Sequence, residues 1–167
     1  CVIPTPVVSG DLVYTTVGFG MGCDLVKISA QGGKLQAEKV WANRNLQNQS
    51  GGVVIIDDNI YGHSEGKKSW VCQSLKTGDL VWTERRSLSQ GSVIAAEGLL
   101  YCYGEQDGSC VLAAASPKAW TERGRFTIPQ KSTLNKPSGR IWTHPVIANG
   151  KLYLRDQELL FCFDIKK

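Results

Sequence analysis

Val53-Val-Ile-Ile-Asp-Asp-Asn-Ile-Tyr61 is the stretch that decides the fold, because the chain repeats it. The same apolar run, turn and Leu/Ile-Tyr strand read Pro6-Val-Val-Ser-Gly-Asp-Leu-Val-Tyr14, Val93-Ile-Ala-Ala-Glu-Gly-Leu-Leu-Tyr101 and Pro145-Val-Ile-Ala-Asn-Gly-Lys-Leu-Tyr153. The tyrosines lie 47, 40 and 52 residues apart. Periods of this size belong to arrays whose units bury their apolar faces only by stacking on neighbours.

Working outward from Val53, each unit reads as four short strands. Gly52–Ile56 is strand a and Asn59–His63 strand b; Ser64–Lys68 turns into strand c, Ser69–Leu75, and Lys76–Asp79 into strand d, Leu80–Glu84. Short apolar runs separated by Gly, Asp and Asn turns are the mark of antiparallel strands. Ser9-Gly-Asp, Asp57-Asp-Asn, Glu97-Gly and Asn149-Gly all fall at the same a–b turn. Gln36-Ala-Glu-Lys-Val-Trp41 has helix-forming residues, but its phase in the repeat makes it strand d. The reading is all-β: a β-propeller of four-stranded antiparallel blades, roughly 3–48, 49–90, 91–140 and 141–167, the last incomplete. Radial arrays of this kind close with about 4–8 blades. About three and a half blades therefore call for a completing partner, either the remainder of the same propeller or another chain.

Composition narrows the classes. The chain has 167 residues, 42% of them hydrophobic, with 18 glycines for its many turns. The net charge of +4 comes from scattered pairs such as Lys67-Lys68 and Arg85-Arg86. That scatter argues against nucleic acid, whose binders gather cations on one face. No run approaches the ~20 apolar residues of a membrane span. The start, Cys1-Val-Ile-Pro, carries no signal segment, and a piece of a longer chain is expected over a lipidated Cys1, since no polar tether follows it. Six cysteines show neither CxxC nor a zinc-type Cys/His spacing, and they read as small buried hydrophobes. Cys102 and Cys110 flank the turn Gly104–Gly108 and could face each other across a hairpin, in a disulfide if the register allows.

The segment Cys72-Gln-Ser-Leu-Lys-Thr-Gly-Asp-Leu-Val-Trp82 resembles the blade motif of quinoprotein propellers, matching it at Thr77, Gly78 and Trp82 and departing from it at Cys72 and Ser74. Gly78 suits the c–d turn and Trp82 the gap between blades, so the motif is a scaffold signature. The lead-in to each tyrosine is similar to strands a and b of the same pyrroloquinoline-quinone-like superfamily, over nearly the whole chain. Ala115–Pro129 and Trp142–Asp156 resemble the C-terminal blades of secreted bacterial propeller-repeat proteins, which implies an exported, periplasmic or cell-surface location. In repeat type the chain is more similar to the propeller lipoproteins of outer-membrane protein assembly than to an enzyme.

The resemblance to quinoprotein dehydrogenases implies a quinone (PQQ) held between a tryptophan and a vicinal cysteine pair, beside Ca²⁺ and a catalytic Asp. No two cysteines are adjacent here, and Asp57-Asp-Asn59, the acidic cluster, reads as a turn. No cofactor is evident in this segment. In a propeller the d–a and b–c connections share one face near the axis, where ligands bind. That places Trp142, Thr143 and His144 with Arg155 and Asp156, and Gln49 and Ser50 with His63 and Glu65, as candidates for a ligand face. The competing reading has Arg155 and Asp156 pairing with each other or with turns, and His144 fixing the loop before Pro145. Neither histidine has a visible nucleophile and acid partner. The function expected is an exported scaffold binding a protein or polymer, such as a polysaccharide. The alternative is the non-catalytic half of a PQQ-dependent alcohol or sugar dehydrogenase.

Overall fold

In the computed structural model, which describes residues 2–136 and 138–166, the regular elements are all β-strands. Cys1, the residue weighed for lipidation, lies outside them. The strands form four antiparallel sheets in strict chain order. The first holds β1 (Val7–Ser9), β2 (Leu12–Val17), β3 (Gly22–Gln31) and β4 (Lys34–Asn43). The second holds β5 (Val53–Ile56), β6 (Asn59–Ser64), β7 (Ser69–Ser74) and β8 (Leu80–Glu84). The third is β9 (Gly91–Ala96), β10 (Leu99–Gly104), β11 (Ser109–Ala114) and β12 (Glu122–Thr127); the fourth is β13 (Val146–Ala148), β14 (Lys151–Asp156) and β15 (Leu159–Asp164). The first strands of successive sheets, β1, β5, β9 and β13, touch one another in turn and form the inner wall. The protein is thus an arc of a β-propeller.

Each gap between sheets is filled from both sides, as the pleat requires: alternate residues of a strand face opposite neighbours. Tyr14 and Leu25 of the first sheet meet Ile60, Val71 and Leu75 of the second, and all five are buried. Tyr61 and Cys72 meet Leu100, Cys102 and Val111 in the same way. Fully burying one such side chain stabilises by about 1.5–3 kcal/mol. The gaps therefore hold the array together, as the repeat period implied.

Strand d carries the same irregularity in all three complete sheets. The register shifts between Leu25 and Val26, between Cys72 and Gln73, and between Leu112 and Ala113, with Val40, Val81 and Arg123 as the extra residues on the partner strand. A bulge of this kind bends the strand and re-aims the next side chain. The residues that follow, paired with Leu25, Cys72 and Leu112, are Trp41, Trp82 and Gly124.

One expectation needs correction, and one alternative left open by the sequence is resolved. Short strands were expected throughout, yet β3 and β4 each run to ten residues and β4 is largely exposed. Their turn is the two-residue Gly32-Gly33, with φ of 59° and 75°, a conformation that matches strand twist and lets the hairpin extend. The Cys102–Cys110 disulfide is not formed. Cys102 lies opposite Val111 and Cys110 opposite Tyr103, so the two thiols stand one register step apart and point to opposite faces. Cys102 and Cys110 are free thiols, each in a different inter-sheet core.

Candidate functional site

The d–a connections (44–52, 85–90 and 128–145) and the b–c turns meet on one face, joined by main-chain hydrogen bonds. Glu65 N–H donates to Gln47 O at 2.8 Å, Glu105 N–H to Gln90 O at 2.8 Å, and Ile141 N–H to Glu105 O at 2.9 Å. Buried polar side chains brace these loops. Asn48 donates from Nδ2 to His63 O and accepts from Gly52 N–H, while its own N–H donates to the Thr16 hydroxyl.

Three clefts of about 310, 210 and 310 Å³ run side by side across this face. The first is lined by His63, Glu65, Lys68, Arg85 and Gln90. Glu105 joins it to the second, which adds Lys131, Asn135 and Lys136, and Arg140 and Ile141 join that to the third, beside Trp142, Thr143, Arg155 and Asp156. Six cations therefore line the track against three carboxylates, Glu65, Glu105 and Asp156.

Those carboxylates are engaged by the protein itself. Glu65 Oε2 accepts from the Phe19 N–H at 2.8 Å. Asp156, 1% exposed, accepts from the Ser132 N–H at 2.9 Å and from Asn135 Nδ2 at 2.8 Å, and so fixes the long 128–145 connection. Glu105 is pushed up in pKa by burial, with Arg140 at 3.6 Å pulling the other way. Of the cations, Lys131 donates to Gln106 O at 2.8 Å and Arg155 to Gln157 O at 2.6 Å, contacts that anchor without neutralising.

The candidate residues divide by environment. Trp142 is 64% exposed and stands beside exposed Arg155 in the third cleft. Thr143 joins them, its hydroxyl donating to Arg155 O. His144 lies across the face with Nε2 2.7 Å from Ser50 O, so it ties the fourth sheet to the second. His63 packs edge-on against Trp70, ring centroids 5.6 Å apart, and its buried Nδ1 has no hydrogen-bond partner. Burial lowers its pKa to about 4, because a charged imidazolium there would lose its water. Glu105, Arg140 and Gln90 belong to the same track and were missed by sequence reasoning. The signal for Glu105 was its equivalence to Glu65, each opening a b–c turn.

The residues present do not fit a calcium-held quinone. Asp57 sits in the a–b turn with φ of 52°, Asp58 pairs with Lys76 at 2.6 Å, and both lie at the end of the sheet opposite the track. Among the described residues no three His, Cys, Asp or Glu side chains converge. No helix among them is long and apolar enough to cross a membrane.

No family model and no curated protein matches the chain. Among solved structures it is similar to the crystal structure of BamB from Moraxella catarrhalis, with a TM-score of 0.61 and 12% identity. The likeness is one of fold. It covers 96% of this chain and 60% of that one, so the chain spans about three-fifths of BamB's length.

Proposed function

We propose that the chain is part of an exported β-propeller, periplasmic or at the cell surface, that binds an acidic protein or polymer ligand across the d–a/b–c face. The observation that carries this reading is the charge of the track: six cations border open clefts, while Glu65 and Asp156 are spent on loop contacts and Glu105 faces Arg140 alone of the six. A cleft with an excess of one sign of charge raises the local concentration of opposite charge. Trp142 and Arg155 are the residues assigned to touch the ligand, together with Arg140. His63, Glu65, His144 and Asp156 shape and hold the face. Blade resemblance to secreted propeller-repeat proteins and likeness in fold to BamB support export and a scaffold role. The completing partner is the remainder of the ring or another chain, since β15 lies at the edge of its sheet with Leu160 66% exposed.

Fluorescence anisotropy of labelled oligoglutamate tests the proposal, with polygalacturonate as competitor. Binding should weaken steeply with salt and fall by about tenfold or more in the Arg140→Glu/Arg155→Glu double variant. Equal affinity for wild type and variant would overturn it.

A further inference from the structure

The turn that joins β2 to β3, Gly18-Phe-Gly-Met21, holds an aromatic residue in a conformation that suits glycine. Phe19 has φ of 58°, in the left-handed region, where a side chain costs free energy that glycine avoids. The other described non-glycine residues of this kind are Asp57, Lys68, Glu97, Asn149 and Gln157, all polar or charged. Burial does not offset the cost at Phe19, which is 55% exposed, and Met21 beside it is 70% exposed. The backbone is clamped instead. Phe19 N–H donates to Glu65 Oε2 at 2.8 Å, Met21 N–H donates to Gly18 O at 3.2 Å, and a β-carbon on Gly18 would lie 2.9 Å from Gln49 Cα. The fold thus holds two large apolar side chains in solvent, one of them at a conformational cost. Strained residues that their surroundings hold in place cluster at binding sites.

The exposure belongs to this place in the blade. Counted from the strand ends, Phe19 is the second residue of a four-residue b–c turn, and Gly66 and Gln106 are its counterparts in the second and third sheets. Both are exposed, although each of those sheets has a neighbour on either side. The turn also adjoins the charged track. Glu65, which holds Phe19, lines the first cleft together with Lys68 and Arg85, both exposed. Aromatic, Met and Arg side chains are the ones enriched where proteins meet. A sugar polymer needs hydrogen-bond partners for its hydroxyls, and Gly-Phe-Gly-Met has no polar side chain to supply them.

We infer that this turn is an apolar anchor for the ligand of the track, and that the ligand is an acidic protein segment with an aromatic or aliphatic residue next to its carboxylates. The apolar residue packs on Phe19 and Met21, and the carboxylates enter the first cleft, where Lys68 and Arg85 stand. The anchor rests on the acidic-ligand reading above and narrows it from polymers in general to protein.

Fluorescence anisotropy with two labelled peptides tests the anchor: oligoglutamate, and oligoglutamate ending in Phe-Leu. The Phe-Leu extension should tighten binding to the 167-residue chain by about fivefold or more. Phe19→Ser/Met21→Ser should lose that gain and bind plain oligoglutamate and polygalacturonate as wild type does. Phe19→Gly removes the ring and the strained φ together. It should lose most of the gain with Tm unchanged or raised, and it keeps the test decisive if the double variant misfolds. No gain from the extension in wild type, or a gain kept in either variant, would overturn the anchor. So would a Phe19→Gly Tm lowered by more than about 4 °C, or polygalacturonate binding weakened in the double variant as strongly as that of the extended peptide. If plain oligoglutamate binds, such a failure leaves the acidic-ligand reading standing; if neither peptide binds, both fall.

Discussion

Truncating Trp82 should expose how much of the array rests on one ring. Its indole spans the gap between the second and third sheets, touching Tyr61 at 6.0 Å and Trp120 at 5.9 Å between centroids, and donates to Ser116 O at 2.9 Å. Trp→Ala in a core costs about 3–5 kcal/mol. Trp82 is only partly buried, which argues for the lower end, and the lost hydrogen bond adds about 1 kcal/mol because Ser116 O regains water. The expected loss is therefore about 3–4 kcal/mol, a large share of the ~5–15 kcal/mol a domain possesses. With a urea slope of about 2 kcal/mol/M, the unfolding midpoint should drop by roughly 1.5–2 M. Trp82→Phe keeps most of the packing and loses the donor, for about 1–2 kcal/mol. Far-UV circular dichroism is the suitable probe, since fluorescence would change with the residue itself. A Trp82→Ala loss under about 1 kcal/mol would refute the assignment of the indole as the wedge between sheets.

Other consequences can be measured directly. His63 has a folded pKa of about 4 against the ordinary 6.5, so its neutral form is the folded one and stability is present above pH 6.5 and lost as pH falls. Between pH 6.5 and 5, above most carboxylate titration, the loss should be about 1.5 kcal/mol, and His63→Gln should abolish that slope; parallel pH profiles would contradict it. Burial pushes the Cys72 thiol up to about 11 and the Cys110 thiol up to about 12, and Cys102 rises for the same reason. In a Cys1→Ser background a thiol reagent should therefore label exposed Cys162 rapidly and the buried thiols only on unfolding. Fast labelling of Cys102 would show that the second gap opens in the native state. Gly78→Ala should cost about 1–3 kcal/mol in urea unfolding, because φ is +75° and the new β-carbon would lie 2.5 Å from Asn43 Nδ2 and 2.9 Å from the Trp41 ring; an unchanged midpoint would contradict the tight turn.

Strands a and b were legible because a short apolar run, a turn and a Leu/Ile-Tyr strand recur in that order, with the turns at one phase. Thr77-Gly78 and Trp82 were legible through their motif, and Trp82 does cross the gap. Gly124 was not. Within Thr121-Glu-Arg-Gly-Arg125 a glycine reads as a turn, and only the bulge register aligns it with two tryptophans. On the charged face, loop phase was enough to bring Trp142 together with Arg155. The partners that engage Asp156, Ser132 and Asn135, lie more than twenty residues upstream in a connection with no repeat, so no periodicity could point to them. The state of Cys102 and Cys110 stayed open in the sequence for a related reason, since one step of register separates facing thiols from opposed ones.

At the inner wall, a β-carbon on Gly51 would collide with the carbonyl of Gly91 in the next sheet. Here the sheets touch main chain to main chain, with Val93 N–H donating to Gly51 O at 3.2 Å. A single methyl group on Gly51 would act as a wedge close to the pivot, where a small displacement produces a large rotation. The angle at which the second and third sheets meet is thus set where a hydrogen atom, and nothing larger, stands between them.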